Sequence, residues 1–518
     1  IDMLGLNHEG IKLIKPYPSF KLEYIDGELS TNKKEPVALM VDDKKLILEN
    51  ISLSLSSASV KADNLHINYS DFVKSNISAD YNLKSQTAIV DIHNIEFKQN
   101  NIDEYFKNDK NIELLIQNKA DMTSISSKEY DFEYLFNKDG WNLNLNSLKK
   151  IYPYSDILKK YSLTNGYLRV QKNKDNNNIV FSLNTDYKYK FLATHTEPIK
   201  SYLINGAFNY ENGYANFKIN DSIEVNIKDN INIKADNTGI NINELLNFFA
   251  QRNNTSDEKY NKDIHFNASN SYMFLGKNRL VISKSIELKY VHDILSAKLI
   301  YKDGRAFFEL NNGKLYLYGT DFNDEFMDKL FANSKFKGGS LDFYISGTTK
   351  EYGGIIYAKD TTILDYKVLN NILAFVNTVP SLVTFSLPGY NKNGIAAKNA
   401  YMNFKFKDGI YDISDIYLKS KEIDIAGYGK ASIEQNSIDL DLNLKTDLGS
   451  SVSKIPLIGH ILLGKETVST TLKVTGALDD PDVTTQLAKD IVVAPFNILK
   501  RTLMYPFELF KKDDKHSE

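Results

Sequence analysis

The 518-residue sequence predicts a mostly β protein, namely an elongated, curved antiparallel β-sheet groove with a few short helices and a C-terminal amphipathic helix. Two patterns favour this fold class. Apolar residues recur at every second position in many short segments, which is the period of a strand with one apolar and one polar face. Asn-Gly or Asp-Gly pairs separate many of these segments and favour tight antiparallel turns. We therefore expect roughly thirty short strands, joined mostly as sequential hairpins.

Four alternating segments define the apolar face of the expected groove. Polar residues such as Asp439 and Asp441 stand between the apolar ones. A flat sheet of so many strands would curl or split, so this face either packs on a second sheet, as in a sandwich, or lines a gutter filled by something other than protein. The residues predicted to line the groove are Ile223, Val225, Ile227, Leu341, Phe343, Ile345, Met402, Phe404, Phe406, Ile438, Leu440, Leu442 and Leu444.

The expected turns carry a loose internal repeat. Lys-Asp-Gly followed by alternating apolar residues recurs within 137–148, 301–310 and 406–418. Such repeats are typical of an elongated, stacked body, although any protein rich in hairpins repeats its turns. The Asn-Gly and Asp-Gly pairs lie at 26–27, 139–140, 165–166, 205–206, 212–213, 303–304, 312–313, 393–394 and 408–409.

Short helices are predicted near 147–161, 241–251 and 322–334, and a longer one at 365–385. The first is expected to break near Pro153, because proline lacks the amide donor that a helix interior needs.

The C-terminal segment 485–518 is predicted to be an amphipathic helix with a polar tail. Lys500 and Arg501 argue against a membrane span, since each would cost about 2.5–3.5 kcal/mol at the bilayer midplane. The helix is expected to lie on a membrane or to pack on the end of the sheet. Its predicted membrane contacts are Val492, Phe496, Leu499, Leu503, Phe507 and Phe510.

Composition excludes several classes of function. The chain has no cysteine, so a thiolate metal site, a thiol nucleophile and a disulfide scaffold are excluded. A net charge of −3 argues against bulk electrostatic binding of nucleic acid. The stretch 459–466 nearly matches a phosphate-binding loop, but Glu466 stands where a serine or threonine would bind magnesium. We predict no catalytic residue, no metal site and no cofactor.

The stretch 365–484 carries a family resemblance. It contains a predicted helix before "FSLPGY", an "I-x-G-x-G" strand at Gly427 and Gly429, an "IPLIG" turn at 455–459 and the closing "VTGALDDPDV" at 474–483. Together these elements resemble the C-terminal region of AsmA-like proteins, in particular the YhdP branch. We therefore divide the chain into a repetitive β-groove body (1–364), an AsmA-like C-terminal region (365–484) and the terminal helix with its tail (485–518).

The resemblance implies a function. AsmA-like proteins are similar to long β-sheet gutters that are anchored in the inner membrane, cross the periplasm and are implicated in phospholipid movement to the outer membrane. This chain is accordingly expected to be a periplasmic lipid conduit, anchored in the inner membrane by a segment upstream of residue 1. Its expected partners are phospholipid acyl chains, bacterial membranes and a protein at either membrane, but not nucleic acid. Thirty strands would extend roughly 140 Å.

Two other functions stay open at this point. One is an assembly factor or scaffold for outer-membrane proteins, in which an exposed strand edge pairs with client strands. The other is a non-catalytic β-sandwich binding protein. Replacing Leu440 and Leu442 by Asp separates gutter from sandwich, because the gutter is expected to stay folded and lose lipid, whereas a sandwich core would unfold.

Overall fold

The structure is a computed structural model. It describes residues 7–8, 11–14, 18–364, 394–447, 462–463 and 467–486, with short gaps at 42, 71, 100–101, 109, 120, 175–176, 253–261, 277, 333–334, 422 and 479. The predicted helix at 365–385, the 455–459 turn and residues 487–518 of the predicted C-terminal helix, with its six predicted membrane contacts, lie outside the described residues. Residues 485 and 486, predicted to begin that helix, lie in a strand instead.

The mostly β, antiparallel fold class is confirmed, and strands far outnumber helices in the described chain. Contacts divide the chain into two compact units. The first comprises Ile1–Lys190 and Ile199–Lys228, and the second comprises Phe191–Pro198 and Asp229–Glu518. The domain boundary predicted at 364/365 rests on the resemblance alone and stays a prediction.

The strands of the first unit form an antiparallel ladder. From the twelfth to the twentieth, each strand pairs with the next one along the chain. The strands are β1 Asn7–His8, β2 Ile11–Leu13, β3 Leu22–Ile25, β4 Glu28–Lys33, β5 Val37–Val41, β6 Lys44–Glu49, β7 Ile51–Leu55, β8 Ser59–Tyr69, β9 Val73–Asn82, β10 Thr87–Gln99, β11 Ile102–Asn108, β12 Ile112–Lys119, β13 Met122–Ser127, β14 Phe132–Asn137, β15 Gly140–Leu145, β16 Tyr167–Asn173, β17 Asn178–Asp186, β18 Ser201–Asn209, β19 Ala215–Ile219 and β20 Ile223–Ile227.

The helical segment of this unit breaks where the sequence predicts. Helix α1 (Leu148–Ile151) runs into a single 3₁₀ turn, Tyr152–Tyr154, that contains Pro153. Helix α2 (Asp156–Tyr161) then begins, capped by the Ser155 hydroxyl, which accepts a hydrogen bond from the Leu158 amide at 3.4 Å.

The strands of the second unit also form a ladder, in which β21–β23 and β22–β24 are the parallel pairs among the described residues. A small separate sheet contains β22, β24 and β25. The strands are β21 Ile231–Asp236, β22 Gly239–Asn241, β23 Ile264–Ser269, β24 Tyr272–Gly276, β25 Arg279–Ile282, β26 Ser285–Val291, β27 Ile294–Tyr301, β28 Gly304–Asn311, β29 Lys314–Phe322, β30 Phe336–Lys337, β31 Ser340–Thr348, β32 Glu351–Ile363, β33 Ile395–Lys407, β34 Ile410–Ser420, β35 Ile423–Ser432, β36 Ser437–Asp447, β37 Leu462–Leu463, β38 Thr467–Ala477 and β39 Asp480–Gln486.

Two helices belong to the second unit, at the positions that the sequence predicts. Helix α3 (Ile242–Arg252) follows β22 directly, and α4 (Asp324–Phe331) follows β29. The Asn323 side chain caps α4 by accepting a hydrogen bond from the Phe326 amide at 3.2 Å. Acidic residues in its first turn and Lys329 in its last complement the helix dipole.

Most expected turns that fall within the described chain do join antiparallel strands. Asp26 and Gly27, for example, both adopt positive φ (50° and 85°) between β3 and β4, as a tight hairpin requires. The turn expected at Asn205-Gly206 is wrong, because both residues lie inside β18. A Cβ at Gly206 would lie 2.3 Å from the Cβ of Phe217 on the neighbouring strand, so this glycine makes room for a cross-strand aromatic ring.

Candidate functional site

The register of the first unit aligns apolar residues across fifteen strands. We call this set the first-unit row, in which each member stands directly opposite the next. The row contains no charged or amide side chain, although the strands that contribute to it are rich in such side chains. From β20 to β3, the row is Val225, Phe217, Gly206, Phe181, Val170, Leu143, Tyr134, Ile125, Ile116, Ala88, Tyr81, Val60, Leu55, Leu29 and Tyr24.

The adjacent row, one residue along each strand, faces the other way and is almost entirely polar. Leu115 and Ile89 are its only apolar members. Side chains alternate across a strand, so the sheet of this unit has one apolar face and one polar face. The polar row is Glu224, Lys218, Asn205, Ser182, Arg169, Asn144, Glu133, Ser126, Leu115, Ile89, Asp80, Lys61, Ser54, Ser30 and Glu23.

The second unit has a corresponding apolar row across fourteen strands, which we call the second-unit row. Apolar residues also dominate the row two residues to either side of it. From β21 to β39, the second-unit row is Ile233, Phe266, Leu288, Ala297, Phe308, Leu317, Ile345, Gly354, Phe404, Ile413, Gly429, Leu440, Val474 and Val483.

The two rows differ in how far their side chains are covered. In the first-unit row only Ala88 and Val225 are buried, Leu55 and Tyr24 are 44% and 71% exposed, and the rest are half-buried. Near the end of the second-unit row Leu440 is 5% and Val474 0% exposed, and only the last member, Val483, is again half-buried among the apolar side chains there. The apolar face is therefore partly open in the first unit and forms a core at the end of the second.

That core is one cluster of buried residues, and its described members all belong to strands of the same ladder. Partly buried residues such as Ile345 and Met402 pack against it. The buried members are Ile395, Ala397, Phe404, Ile413, Leu418, Ile423, Ile425, Ile438, Leu440, Leu442, Leu444, Leu472 and Val474.

The predicted groove residues lie on these apolar faces. Val225 belongs to the first-unit row, and Ile223 and Ile227 flank it on β20. The ten predicted residues of β31, β33 and β36 share the face of the second-unit row, and the four on β36 are all buried. Whether any of them contacts lipid stays a prediction.

Sequence reasoning missed most of the open part of the face. Leu143, Val170 and Phe181 lie on the first-unit row and are half-buried, yet the sequence did not single them out. The signal was present, because Leu143 belongs to the alternating stretch of β15 and Val170 and Phe181 to those of β16 and β17.

Glycines on the apolar face make room for large neighbours. A Cβ at Gly427 would lie 2.6 Å from a Leu442 methyl group and 2.3 Å from the Asp441 carbonyl oxygen. A Cβ at Gly319 would lie 2.3 Å from the Phe343 ring. The large side chains therefore lean over bare backbone, which keeps the face continuous from strand to strand.

Charges are concentrated on the opposite face. Lys473 contacts the carboxylates of both Asp439 and Asp441, the latter at 3.0 Å, and the hydrogen bond to Asp439 is the main reason that its pKa is raised. On the apolar face, burial raises the pKa of the Tyr352 hydroxyl, which lies 3.4 Å from that of Tyr411. Tyr352 therefore stays neutral at physiological pH.

Within the described residues, no group of three or more His, Asp or Glu side chains is arranged to hold a metal ion. No helix in the described part of the chain is long and apolar enough to cross a membrane. What the apolar face of each unit offers chemically is apolar contact along a ladder of strands, with no charged side chain in either the first-unit row or the second-unit row.

An open, mostly β sheet with an apolar face in each unit fits a lipid-transport family of proteins. The comparison with protein families places the chain more specifically. It belongs to the YhdP protein family, whose model matches residues 221–483, just over half of the chain. A comparison with curated proteins finds no match to it.

Proposed function

We propose that this chain moves phospholipid between the inner and outer membranes of a bacterium, with the acyl chains lying along its apolar rows. The observation that carries the proposal is the first-unit row, which aligns fourteen apolar residues and Gly206, most of them half-buried. Large apolar surfaces that are left partly open usually mark a binding surface for apolar ligands or membranes. Membership of the YhdP family supports the same function.

The row suits passage better than storage. Fifteen strands at about 4.8 Å spacing extend roughly 65–70 Å along the ladder, which is more than the hydrocarbon thickness of a bilayer. Apolar contact contributes about 25 cal/mol per Å² wherever an acyl chain lies, so a uniform face has no deep trap. The absence of charged side chains from the row leaves no strong polar group to arrest a chain.

The remaining features of the proposal follow from the family and the amphipathic C-terminal sequence. The protein works in the periplasm, is anchored in the inner membrane and reaches the outer membrane, with a protein partner at either end. The proposal includes no enzymatic step, and acyl chains need none to slide along an apolar surface.

Site-specific photocrosslinking tests the proposal. A benzophenone amino acid replaces either Phe181, on the first-unit row, or Ser182, its neighbour on the polar face. In cells, the Phe181 position is expected to cross-link phospholipid and the Ser182 position is not. Equal lipid labelling at both positions, or none at either, would contradict the proposal.

The buried cluster at the end of the second unit bears on the sandwich alternative. Thirteen buried apolar residues there form a protein core, as a sandwich would. The proposed lipid path is therefore assigned first to the half-buried rows and not to this cluster.

A further inference from the structure

Helix α3 lies against the apolar face of the second unit. Three of its side chains, Leu245, Leu246 and Phe248, pack on a cluster centred on Leu295 and Leu310, which are 2% and 3% exposed. The cluster belongs to the second-unit row and the row beside it, on β26 to β29. Its other strand members are Leu288, Tyr290, Phe308 and Leu315.

The cover that α3 provides is shallow. Leu245, Leu246 and Phe248 are each only half-buried. Helix α4 gives the contrast within the same unit, since its Phe326 and Met327 are 2% and 0% exposed. The Phe326 ring also stacks on the Phe322 ring, with 4.0 Å between the ring centroids. Helix α4 is therefore built into the core, whereas α3 rests on the surface of the sheet.

Two further contacts of α3 involve its Asn243 and Phe248 side chains. The Asn243 side chain donates a hydrogen bond to the Leu275 carbonyl at 3.2 Å. The Phe248 ring meets the edge of Phe191, with 5.3 Å between ring centroids. The packing of Leu245, Leu246 and Phe248 on the main sheet is apolar contact, of a kind that a hydrocarbon chain also makes.

From this packing we infer that α3 and a lipid acyl chain are alternative occupants of the same four-strand segment of the apolar face, so that α3 gates the second unit. The inference rests on the proposed function. An acyl chain offers the face the same apolar, non-directional contact as three leucine and phenylalanine side chains. In the absence of lipid, α3 covers Leu295 and Leu310, and an arriving chain displaces it.

The gate also explains why the apolar cluster on β26 to β29 is shielded from solvent by a helix. Uncovered, the cluster would add six large apolar side chains to the exposed face of an already apolar unit, which favours self-association. A helix with exposed Asn247 on its outer side presents a polar surface in their place.

Two reporters and two ways of opening α3 test the inference. A benzophenone amino acid replaces Phe308, beneath α3, or Phe181, on the uncovered first-unit row. The full chain is mixed with vesicles of phosphatidylethanolamine containing phosphatidylglycerol as the minor component, irradiated, and analysed by mass spectrometry for lipid adducts. The opening variant carries Leu245→Ser, Leu246→Ser and Phe248→Ser.

The second opening variant is Asn247→Pro, which unwinds α3 from an exposed position and leaves the three contacting side chains unchanged. The matched control is Asn247→Ser, at the same position. The melting temperature of each variant is measured to check that it is folded. If the triple substitution fails to fold, the result for Asn247→Pro decides the outcome.

The Phe308 reporter is expected to cross-link lipid weakly in the unmodified chain and in Asn247→Ser, and severalfold more in both opening variants. The Phe181 reporter is expected to label equally in all four proteins. Unchanged labelling at Phe308 alongside normal labelling at Phe181 would overturn the gate and leave the proposed function standing. No labelling at either reporter in any variant would overturn both.

Discussion

Replacing both Leu440 and Leu442 by Asp tests what the end of the second unit is. The two side chains are 5% and 3% exposed and belong to the thirteen-residue buried cluster. A Leu442 methyl group also packs directly against the backbone of Gly427, so protein atoms fill the space on that side of the leucine. An open gutter predicts a folded chain that has lost lipid, whereas this packing predicts that the second unit unfolds.

The size of the effect follows from burial. Each leucine that is lost removes about 1.5–3 kcal/mol of hydrophobic stabilisation. Each carboxyl group then needs either hydrogen bonds or solvent, and an unsatisfied polar group costs at least about 1–3 kcal/mol more. The double substitution therefore costs about 5–12 kcal/mol, which is comparable with the total stability of a typical domain, about 5–15 kcal/mol.

The assay is thermal and urea unfolding of the purified chain, followed by circular dichroism. The matched control is Ile89→Asp, the same kind of change at a strand residue that is 50% exposed and stands opposite Asp80, which is expected to cost about 1–2 kcal/mol. A double variant that melts like the control would refute the packed-core interpretation and return Leu440 and Leu442 to the open groove.

Three further predictions follow from the apolar face and the charges behind it. Gly427→Ala should lower the free energy of unfolding by about 1–3 kcal/mol, because the new Cβ would lie 2.3 Å from a backbone oxygen of the neighbouring strand. The control is Gly353→Ala, where the nearest atom to the new Cβ is 3.2 Å away, and it should cost clearly less in the same urea titration. Leu143→Asp places a carboxylate on the half-buried first-unit row and should abolish lipid cross-linking near it, with little change in the melting temperature. Asn144→Asp, on the polar face, should leave cross-linking intact. Equal effects of the two substitutions would contradict the proposed lipid path. Lys473→Gln should cost about 1 kcal/mol or less. Because the pKa of Lys473 is raised from 10.5, this contribution is present at neutral pH and is lost only as the pH rises through the folded-state value, so a melting difference that vanished near neutral pH would argue against the pairing with Asp439 and Asp441.

The sequence by itself determined the class of fold and the two faces of each strand. Alternation in "SIDLDLNLKTD" is enough to place Leu440 and Leu442 on the same side of β36, because side chains in a strand alternate regardless of what surrounds them. Local chemistry likewise determined the hairpin at Asp26-Gly27 and the break in the helix at Pro153. These features depend on interactions between residues that are near each other in the chain.

Only the tertiary structure decided which residues stand opposite one another. Ile413 and Ile416 are three positions apart, so regular alternation would place them on opposite faces of β34. A bulge at Ser414 and Asp415 adds one residue to the strand and turns both isoleucines to the apolar face. Asn205-Gly206 carries the same local signal as a turn but lies inside a strand, since the space beside Gly206 is needed by Phe217.

Burial was decided at the same level. Leu143 and Leu440 both come from alternating strands, but the first is half-buried and the second is 5% exposed. The periodicity of apolar residues indicates only which face of the strand a side chain is on. Whether that side chain is buried depends on segments that are distant in sequence. The packing of α3 on Leu295 and Leu310 is a contact of this kind, because a helix that follows β22 meets strands some fifty or more residues further along the chain, and no local pattern records that meeting.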